Sequence, residues 1–252
     1  MAFTKKIAAS LLSVGLISAG FIWGGMPLVA KANEAEDISA IKSNLQKRNP
    51  PLNVKNIKLS PLAGLYEVYA NGNIFYVDKT VSYVMVGGSL IEDASKRNLT
   101  AERVKELSSI KFDSLPFKNA LEIKKGSGAY KFAVFSDPDC PYCKTLEQGL
   151  EKFGLTDYTA YVFLFPLKEI HPDATMKAEA IWCAKDRNEA WSNWMIKGTT
   201  PEKASCENPL AANEKLAEEL GVNGTPTIYL NDGKQTQAPQ ELVMAIKASK
   251  PN

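Results

Sequence analysis

Two cysteines separated by two residues are the side chains of this chain best placed to do chemistry. Cys140 and Cys143 form the segment Cys-Pro-Tyr-Cys, which lies between an apolar run that predicts a buried strand and an amphipathic helical stretch. Cys140 therefore falls at the start of a helix, where unpaired backbone N–H groups and the helix dipole stabilise an anion. Because the thiolate is the reactive form of cysteine, we expect Cys140 to attack and Cys143 to resolve the resulting mixed disulfide.

The residues between the two cysteines fit this interpretation. Pro141 suits the first helical turn because it lacks an N–H, and we expect Pro141 and Tyr142 to tune the reduction potential and to contact substrate. A structural disulfide or half of a zinc site are the alternatives. Zinc would need two more ligands, but the other two cysteines are separated by 22 intervening residues and the only histidine, His171, is predicted to be a surface or capping residue. The sequence thus predicts neither a metal nor a cofactor.

The second cysteine pair, Cys183 and Cys206, has no helix-start placement. Cys183 lies in an apolar helical stretch, Ala-Ile-Trp-Cys-Ala. A disulfide between these two cysteines would close a loop of about two dozen residues and contribute roughly 3 kcal/mol of stability. Two buried free thiols are the alternative. The nearby Trp182, Trp191 and Trp194 are interpreted as core residues, since aromatic side chains at helical spacing are mostly buried.

The N-terminus has the pattern of an export signal. Lys5 and Lys6 precede an apolar run over 7–23, and a small-x-small site, Ala-Lys-Ala, ends at Ala32. This order predicts a cleavable secretory signal peptide over 1–32, with an uncleaved membrane anchor as the alternative. In either case the remainder of the chain lies outside the cytoplasm, where disulfides can form.

Composition and charge exclude nucleic acid as a partner. The 252 residues carry a formal net charge of +2, but three lysines belong to the leader, and its removal leaves 27 basic residues against 28 acidic ones, a net charge of −1. No basic tract remains that could neutralise phosphates. With 45% hydrophobic and 23% charged residues, the chain is predicted to form one or two globular domains.

The first half of the mature chain predicts a small helix-plus-strands unit. Apolar residues at helical spacing indicate a helix over 37–47, and strands are predicted over 65–70 and 74–78 around Asn-Gly-Asn, a hairpin signal. A third strand is predicted over 81–86. Since a segment of about sixty residues buries a poor core alone, we expect it to oligomerise.

A helix over 100–111, with Thr100 as its N-cap, is predicted to join this unit to a second domain. In the second domain the order of elements is strand, helix, strand, helices, hairpin and helix, which is an α/β order. The core face of the helix after Cys143 is predicted to consist of Leu146, Leu150 and Phe153. The remaining elements are predicted over 131–136, 158–165, 173–220, 227–230, 234–237 and 239–248.

Gly-Thr-Pro at 224–226 directly precedes the strand over 227–230. An X-Pro bond leading into a strand is a candidate cis peptide, with an ordinary turn proline as the alternative. Together with the strand, the Cys-x-x-Cys and the helix, this motif resembles the thioredoxin superfamily. The resemblance implies that the Thr225–Pro226 loop lies against the active-site sulfur and pairs with an extended substrate segment.

Three segments resemble the periplasmic disulfide-bond isomerases of the DsbC type: Phe-Ser-Asp-Pro-Asp-Cys-Pro-Tyr-Cys at 135–143, Ala-Ile-Trp-Cys-Ala-Lys-Asp at 180–186, and Leu-Gly-Val-Asn-Gly-Thr-Pro at 220–226. The resemblance implies a thioredoxin-like α/β domain with a helical insertion, and a V-shaped homodimer formed through an α+β N-terminal domain. It also implies misfolded exported proteins as substrates and a membrane reductase of the DsbD type as partner. The implied division is signal peptide 1–32, dimerisation domain 33–98, linker helix 99–114 and catalytic domain 115–252.

The activity implied is isomerisation and reduction of non-native disulfides. DsbG-type proteins share Cys-Pro-Tyr-Cys and reduce sulfenylated cysteines, but they usually lack the second pair, which favours the DsbC type. A leader, an extra domain and a second cysteine pair disfavour glutaredoxins. A holdase chaperone with secondary thiol activity and a dithiol oxidase are further alternatives.

Overall fold

A computed structural model describes residues 28–48, 52–236 and 239–248. Most of the predicted signal peptide, residues 1–27, lies outside these ranges. Within them, no helix combines the length and the apolar character needed to cross a membrane.

The helices are α1 (Leu28–Gln46), α2 (Leu99–Leu107), α3 (Pro141–Lys152), α4 (Ala174–Cys183), α5 (Arg187–Ser192), α6 (Leu210–Leu220) and α7 (Pro239–Ala248). The strands are β1 (Val54–Leu59), β2 (Leu65–Ala70), β3 (Asn73–Asp78), β4 (Val84–Met85), β5 (Ile91–Glu92), β6 (Arg97–Asn98), β7 (Leu121–Lys125), β8 (Tyr130–Ser136), β9 (Tyr158–Leu164), β10 (Thr227–Leu230) and β11 (Gln235–Thr236).

The N-terminal region is an antiparallel sheet in the order β1-β2-β3-β4, with α1 packed on one face. Ile41 and Leu45 of α1 are fully buried against Val68 of the sheet. The predicted third strand over 81–86 is too long. The Asp78 carboxylate accepts backbone N–H bonds from the turn that follows it, and Val81 adopts a left-handed φ of 58° there, so pairing resumes only at β4.

The helix that links the two regions starts and ends differently from the prediction. Its N-cap is Asn98, whose Oδ1 accepts from Ala101 N at 2.9 Å, while Thr100 is buried and bonds to the Tyr76 hydroxyl. α2 ends at Leu107, four residues earlier than predicted. The chain then leaves the helix because the backbone N–H of Ile110 bonds to the β10–β11 turn.

The C-terminal region is a five-stranded sheet in the order β11-β10-β8-β9-β7, with β8 and β9 parallel. Apolar clusters fill both of its faces, and β8 is buried along almost its whole length, as its continuous apolar run predicts. Leu146 and Leu150 of α3 are buried, but the prediction for Phe153 is wrong. Phe153 is the C-cap residue of α3 and is 54% exposed, because the chain turns away from the core there.

Between β9 and β10 lies a helical insertion, which we define as residues 174–209. It contains α4, α5, a π-helical turn at Asn193–Lys197 and an irregular segment. Trp182 and Trp191 are buried in the core, as predicted, whereas Trp194 is only partly buried against it. The bounds of the insertion matter because two of its side chains reach the loop before α3.

The two regions touch near the loop that leads to Pro226. The tip of the β2–β3 hairpin meets Gly221, and a Cβ on Gly72 would lie 2.0 Å from the Gly221 carbonyl oxygen. Both glycines have a left-handed φ of 76°. Asn223 Nδ2 donates to the Asn71 carbonyl oxygen at 3.3 Å. The N-terminal sheet therefore contacts the chain three and five residues before Pro226.

Candidate active site

α3 follows β8 after a four-residue loop, and this junction places the first cysteine. Cys140 is the N-cap residue of α3, with φ −68° and ψ 120°, and Pro141 occupies the first helical position. Cys143 lies one turn later and is fully buried, and Cys140 is buried apart from a small exposed fraction. Tyr142 is 74% exposed beside them. The arrangement leaves one sulfur accessible at the helix start and a second beneath it.

Hydrogen bonds lower the pKa of Cys140 to about 5, from an ordinary value of 9.0. The largest contribution is the bond from the Cys143 thiol, followed by one from Thr225 and by the backbone N–H groups of Cys143 and Tyr142. Burial acts in the opposite direction, since it penalises the charged form. At neutral pH the Cys140 sulfur is therefore a thiolate.

The pKa of Cys143 is raised, chiefly by burial and then by the hydrogen bond that its thiol donates to Cys140. The Ser136 hydroxyl and the Asp137 backbone N–H oppose this increase without cancelling it. Cys143 is therefore protonated at neutral pH. The two sulfurs therefore have opposite protonation states: the Cys140 thiolate is suited to attack, and the Cys143 thiol can react only after it loses its proton.

The Thr225–Pro226 loop lies directly against Cys140, and its peptide bond is cis. β10 pairs with β8, with Thr227 opposite Phe135, so the start of β10 comes beside the end of β8. The Cys140 sulfur lies 3.3 Å from the Thr225 carbonyl oxygen. The buried Thr225 hydroxyl has no other hydrogen-bond partner among the described residues, and its proximity to the Cys140 sulfur favours the thiolate.

Sequence reasoning assigned no role to Asp137, but its buried carboxylate organises the loops around the site. It accepts from the backbone N–H groups of Asp139 and Leu167, each at 2.6 Å, and from His171 Nδ1 at 2.9 Å. The prediction that His171 is a surface or capping residue is therefore wrong, since its ring is largely buried against Asp137. The position of Asp137 one residue after a buried strand is the signal that could have indicated it.

Asp139, Lys177 and Trp194 form a second group next to Cys140. Lys177 Nζ lies 2.7 Å from each carboxylate oxygen of Asp139. Trp194 Nε1 donates to the Pro138 carbonyl oxygen at 2.6 Å. Lys177 and Trp194 belong to the insertion and lie 38 and 56 positions from their partners, so nothing local in the sequence indicates these contacts.

The second cysteine pair is separate from this site. Cys183 and Cys206 are joined by a disulfide with an S–S distance of 2.06 Å. It connects the end of α4 to the irregular segment of the insertion. The residues described by the structure contain no group of three or more histidine, cysteine or acidic side chains arranged to hold a metal ion.

A free dithiol at a helix start beside a cis-proline loop, on a thioredoxin-like sheet, defines a thiol–disulfide oxidoreductase. Comparison with known families agrees. Residues 117–241 match a thioredoxin-like domain, and residues 29–101 match the disulfide bond isomerase protein N-terminal domain. The predicted fold class is thereby confirmed.

The curated relatives described below are named thiol:disulfide interchange proteins. A probable thiol:disulfide interchange protein DsbC from Bordetella avium is 38% identical over 193 residues, covering 77% of this chain and 68% of the relative. The DsbC protein of Escherichia coli K12 is 28% identical over 211 residues, covering 82% and 86%. A crystal structure of a disulfide interchange protein from Neisseria gonorrhoeae matches 55% of this chain and all of its own, with 41% identity and a TM-score of 0.50. The chain belongs to the DsbC family of thiol:disulfide interchange proteins, as its motifs predict.

Proposed function

We propose that this protein isomerises non-native disulfides in exported proteins and that Cys140 is the attacking thiolate. The observation that carries the proposal is a free dithiol in which Cys140 is the N-cap of α3 beside the cis Thr225–Pro226 bond and Cys143 is fully buried one turn later, an arrangement that favours a thiolate at Cys140 and a protonated thiol at Cys143. An isomerase must attack client disulfides readily and must also release them, and a reserve thiol serves as an exit when rearrangement fails.

The reaction is thiol–disulfide exchange. The Cys140 thiolate attacks one sulfur of a client disulfide, so that a mixed disulfide forms and the other client sulfur leaves as a thiolate. If a client thiolate then attacks the mixed disulfide, a new client disulfide forms and Cys140 is released unchanged. If Cys143 loses its proton and attacks instead, the client is reduced and a Cys140–Cys143 disulfide forms. Regenerating the enzyme after that second route consumes two electrons, which we assign to a membrane reductase of the DsbD type.

We further propose that clients bind beside the cis-proline loop. Thr225 contacts the Cys140 sulfur, with Pro226 next in the chain, and Pro141 and the exposed Tyr142 directly follow Cys140. An extended client segment lying along this loop would bring its disulfide within reach of Cys140. Such contacts to main chain and apolar surface suit clients of varied sequence.

A homodimer is the proposed form of the enzyme. β4 is an edge strand of the N-terminal sheet, and the apolar side chains around it are exposed, with Tyr83 79% and Val86 77% accessible. An exposed apolar sheet edge favours pairing with another chain, and a second copy would cover it.

We propose export by a signal peptide over 1–32 to the periplasm, dimerisation through residues 33–98, a linker over 99–114 and catalysis by residues 115–252.

Refolding of a scrambled, multi-disulfide ribonuclease in glutathione buffer tests the proposal. The mature chain is compared with a truncated chain that begins at Leu115 and with a Tyr83→Glu, Val86→Glu variant. We expect the mature chain to restore ribonuclease activity and the two altered chains, checked as monomers by light scattering, to lose most of that ability. Failure of the mature chain, with reduction of a sulfenylated protein instead, would replace isomerisation by a DsbG-like reductase function. Protection of clients from aggregation by a Cys140→Ala variant, without refolding by the wild type, would indicate a holdase.

A further inference from the structure

Asp139 directly precedes Cys140 in the chain, so the residue next to the proposed attacking cysteine carries a carboxylate. A like charge several ångströms away disfavours a thiolate, and the low polarity of a partly buried site strengthens that effect. Thiol–disulfide exchange requires instead that the Cys140 thiolate be stabilised. Some feature of the protein must therefore compensate for the charge of Asp139.

Lys177, which belongs to the insertion, forms an ion pair with Asp139. Its ammonium group contacts both oxygens of Asp139 at 2.7 Å, and only 21% of the lysine side chain and 16% of the aspartate side chain are exposed. A pair that is shielded to this extent is screened far less by salt than the exposed ion pairs of the chain. The Lys177 ammonium group also lies 4.8 Å from the centre of the Trp194 ring, a favourable cation–π distance.

Trp194 ties this group to the loop before α3 in two ways. Its indole N–H bonds to the Pro138 carbonyl oxygen at 2.6 Å, and its ring lies 4.1 Å from the ammonium group of Lys144, the residue after Cys143. The insertion thus holds the side chain of Asp139 and the backbone of Pro138, which are the two residues before Cys140. Trp194 lies within the loop that the Cys183–Cys206 disulfide closes, and Lys177 lies in α4, the helix that ends at Cys183.

We propose that Lys177 is a positioning residue for thiol–disulfide exchange, which neutralises and directs Asp139 so that the Cys140 sulfur remains a thiolate. Trp194 supports Lys177 and fixes the loop on which Asp139 lies. The proposal rests on the proposed function only in taking Cys140 as the attacking sulfur. It gives the insertion a role in the chemistry in addition to its role in stability.

A double-mutant cycle on the full-length reduced protein tests this role. Lys177→Met, Asp139→Asn, the double variant and the conservative Lys177→Arg are titrated by thiolate absorbance at 240 nm, with the oxidised form of each as the blank. We expect Lys177→Met to raise the pKa of Cys140 by about 0.5 to 1 pH unit, as for an unpaired neighbouring carboxylate. On the acid side of the titration this means about three- to tenfold slower alkylation. Adding Asp139→Asn should remove most of the increase, and Lys177→Arg should cause little.

Lys215→Met is the matched control, because Lys215 pairs with Glu219 in the same region but both side chains are mostly exposed. It removes one positive charge and should leave the titration unchanged. The proposal is overturned if Lys177→Met leaves the midpoint within 0.2 pH units of wild type, if the control shifts it equally, or if Asp139→Asn fails to restore it. Thermal unfolding of each variant verifies that the chain is folded. Since the titration requires no client protein, failure of ribonuclease refolding would not affect this result.

Discussion

The two cysteine pairs of this protein occupy contrasting positions. Cys140 and Cys143 are three positions apart at the start of α3 and are both free, whereas Cys183 and Cys206 are 23 positions apart at the end of α4 and are joined. Cys140 is more deeply buried than Cys183. Burial alone disfavours a thiolate. Hydrogen bonds from Cys143 and Thr225 and the backbone N–H groups of the first turn overcome burial. Reactivity therefore depends on the surroundings of the sulfur more than on its exposure.

The second cysteine pair lies in the insertion that contacts the loop before the first pair. The segment that the second pair closes includes Trp194, and the helix that it ends includes Lys177. These two side chains hold the residues before Cys140. The second disulfide thus lies in the same insertion as the side chains that hold the loop before Cys140.

The largest expected effect follows from removing the proposed nucleophile. Cys140→Ala should lower the rate of disulfide exchange by at least about a thousandfold, because Cys143 is protonated and buried and cannot replace it. The rate of reduction of a disulfide-linked test protein measures this. Cys143→Ala is the matched variant, and it should retain isomerisation while losing reduction. Equal loss of isomerisation in both variants would contradict the assigned division of roles.

Removing the second pair should act on stability first. The Cys183→Ala, Cys206→Ala variant should lose about 3 kcal/mol of unfolding free energy, since the disulfide closes a loop of 23 positions in the unfolded chain. Urea unfolding of the two proteins, both with Cys140 and Cys143 reduced, measures the difference. An unchanged unfolding free energy would show that the pair does not stabilise the insertion.

The pH dependence of stability should reflect the acidity of Cys140. Because its folded pKa of about 5 lies below its ordinary value of 9.0, the thiolate stabilises the fold fully above pH 9, and this contribution is lost as the pH falls through about 5. The unfolding free energy of the reduced protein, relative to that of Cys140→Ser, should therefore rise from pH 5 to pH 9. A difference that is flat over this range would mean that Cys140 is not acidic in the folded state.

The smallest effect concerns Glu147, which joins the catalytic helix to the insertion by accepting from Trp191 Nε1 at 3.1 Å. Burial raises the pKa of Glu147 to about 7 from 4.5, so its ionisation costs stability as the pH rises from 4.5 to 7. Glu147→Gln keeps an acceptor for Trp191 and removes the cost of ionising a buried carboxyl, so it should be more stable than wild type above pH 7. We expect a gain of only about 1 kcal/mol, because the partial exposure of the side chain reduces that cost. The gain should vanish below pH 4.5. A gain that is independent of pH would contradict this explanation.

Local patterns predicted the elements but not the contacts between them. The bounds of β2 and α7 agree with the prediction because strand alternation and helical spacing are local. Phe153 continued the same helical spacing and is exposed, since the spacing does not say where α3 ends. Lys177 and Trp194 could not be predicted, because the fold brings them to the active site from 38 and 56 positions away.

The central claim is that Cys140–Cys143 is the redox-active pair and Cys183–Cys206 is a structural disulfide. A glutathione titration that follows each pair separately tests this claim most directly. Full-length protein is equilibrated at a series of reduced-to-oxidised glutathione ratios and acid-quenched. After alkylation, mass spectrometry measures the fractions of Cys140–Cys143 and Cys183–Cys206 that are disulfide-bonded. We predict that the first pair passes from oxidised to reduced across the series while the second stays oxidised throughout. Reduction of both pairs over the same range, or of Cys183–Cys206 first, would contradict the account.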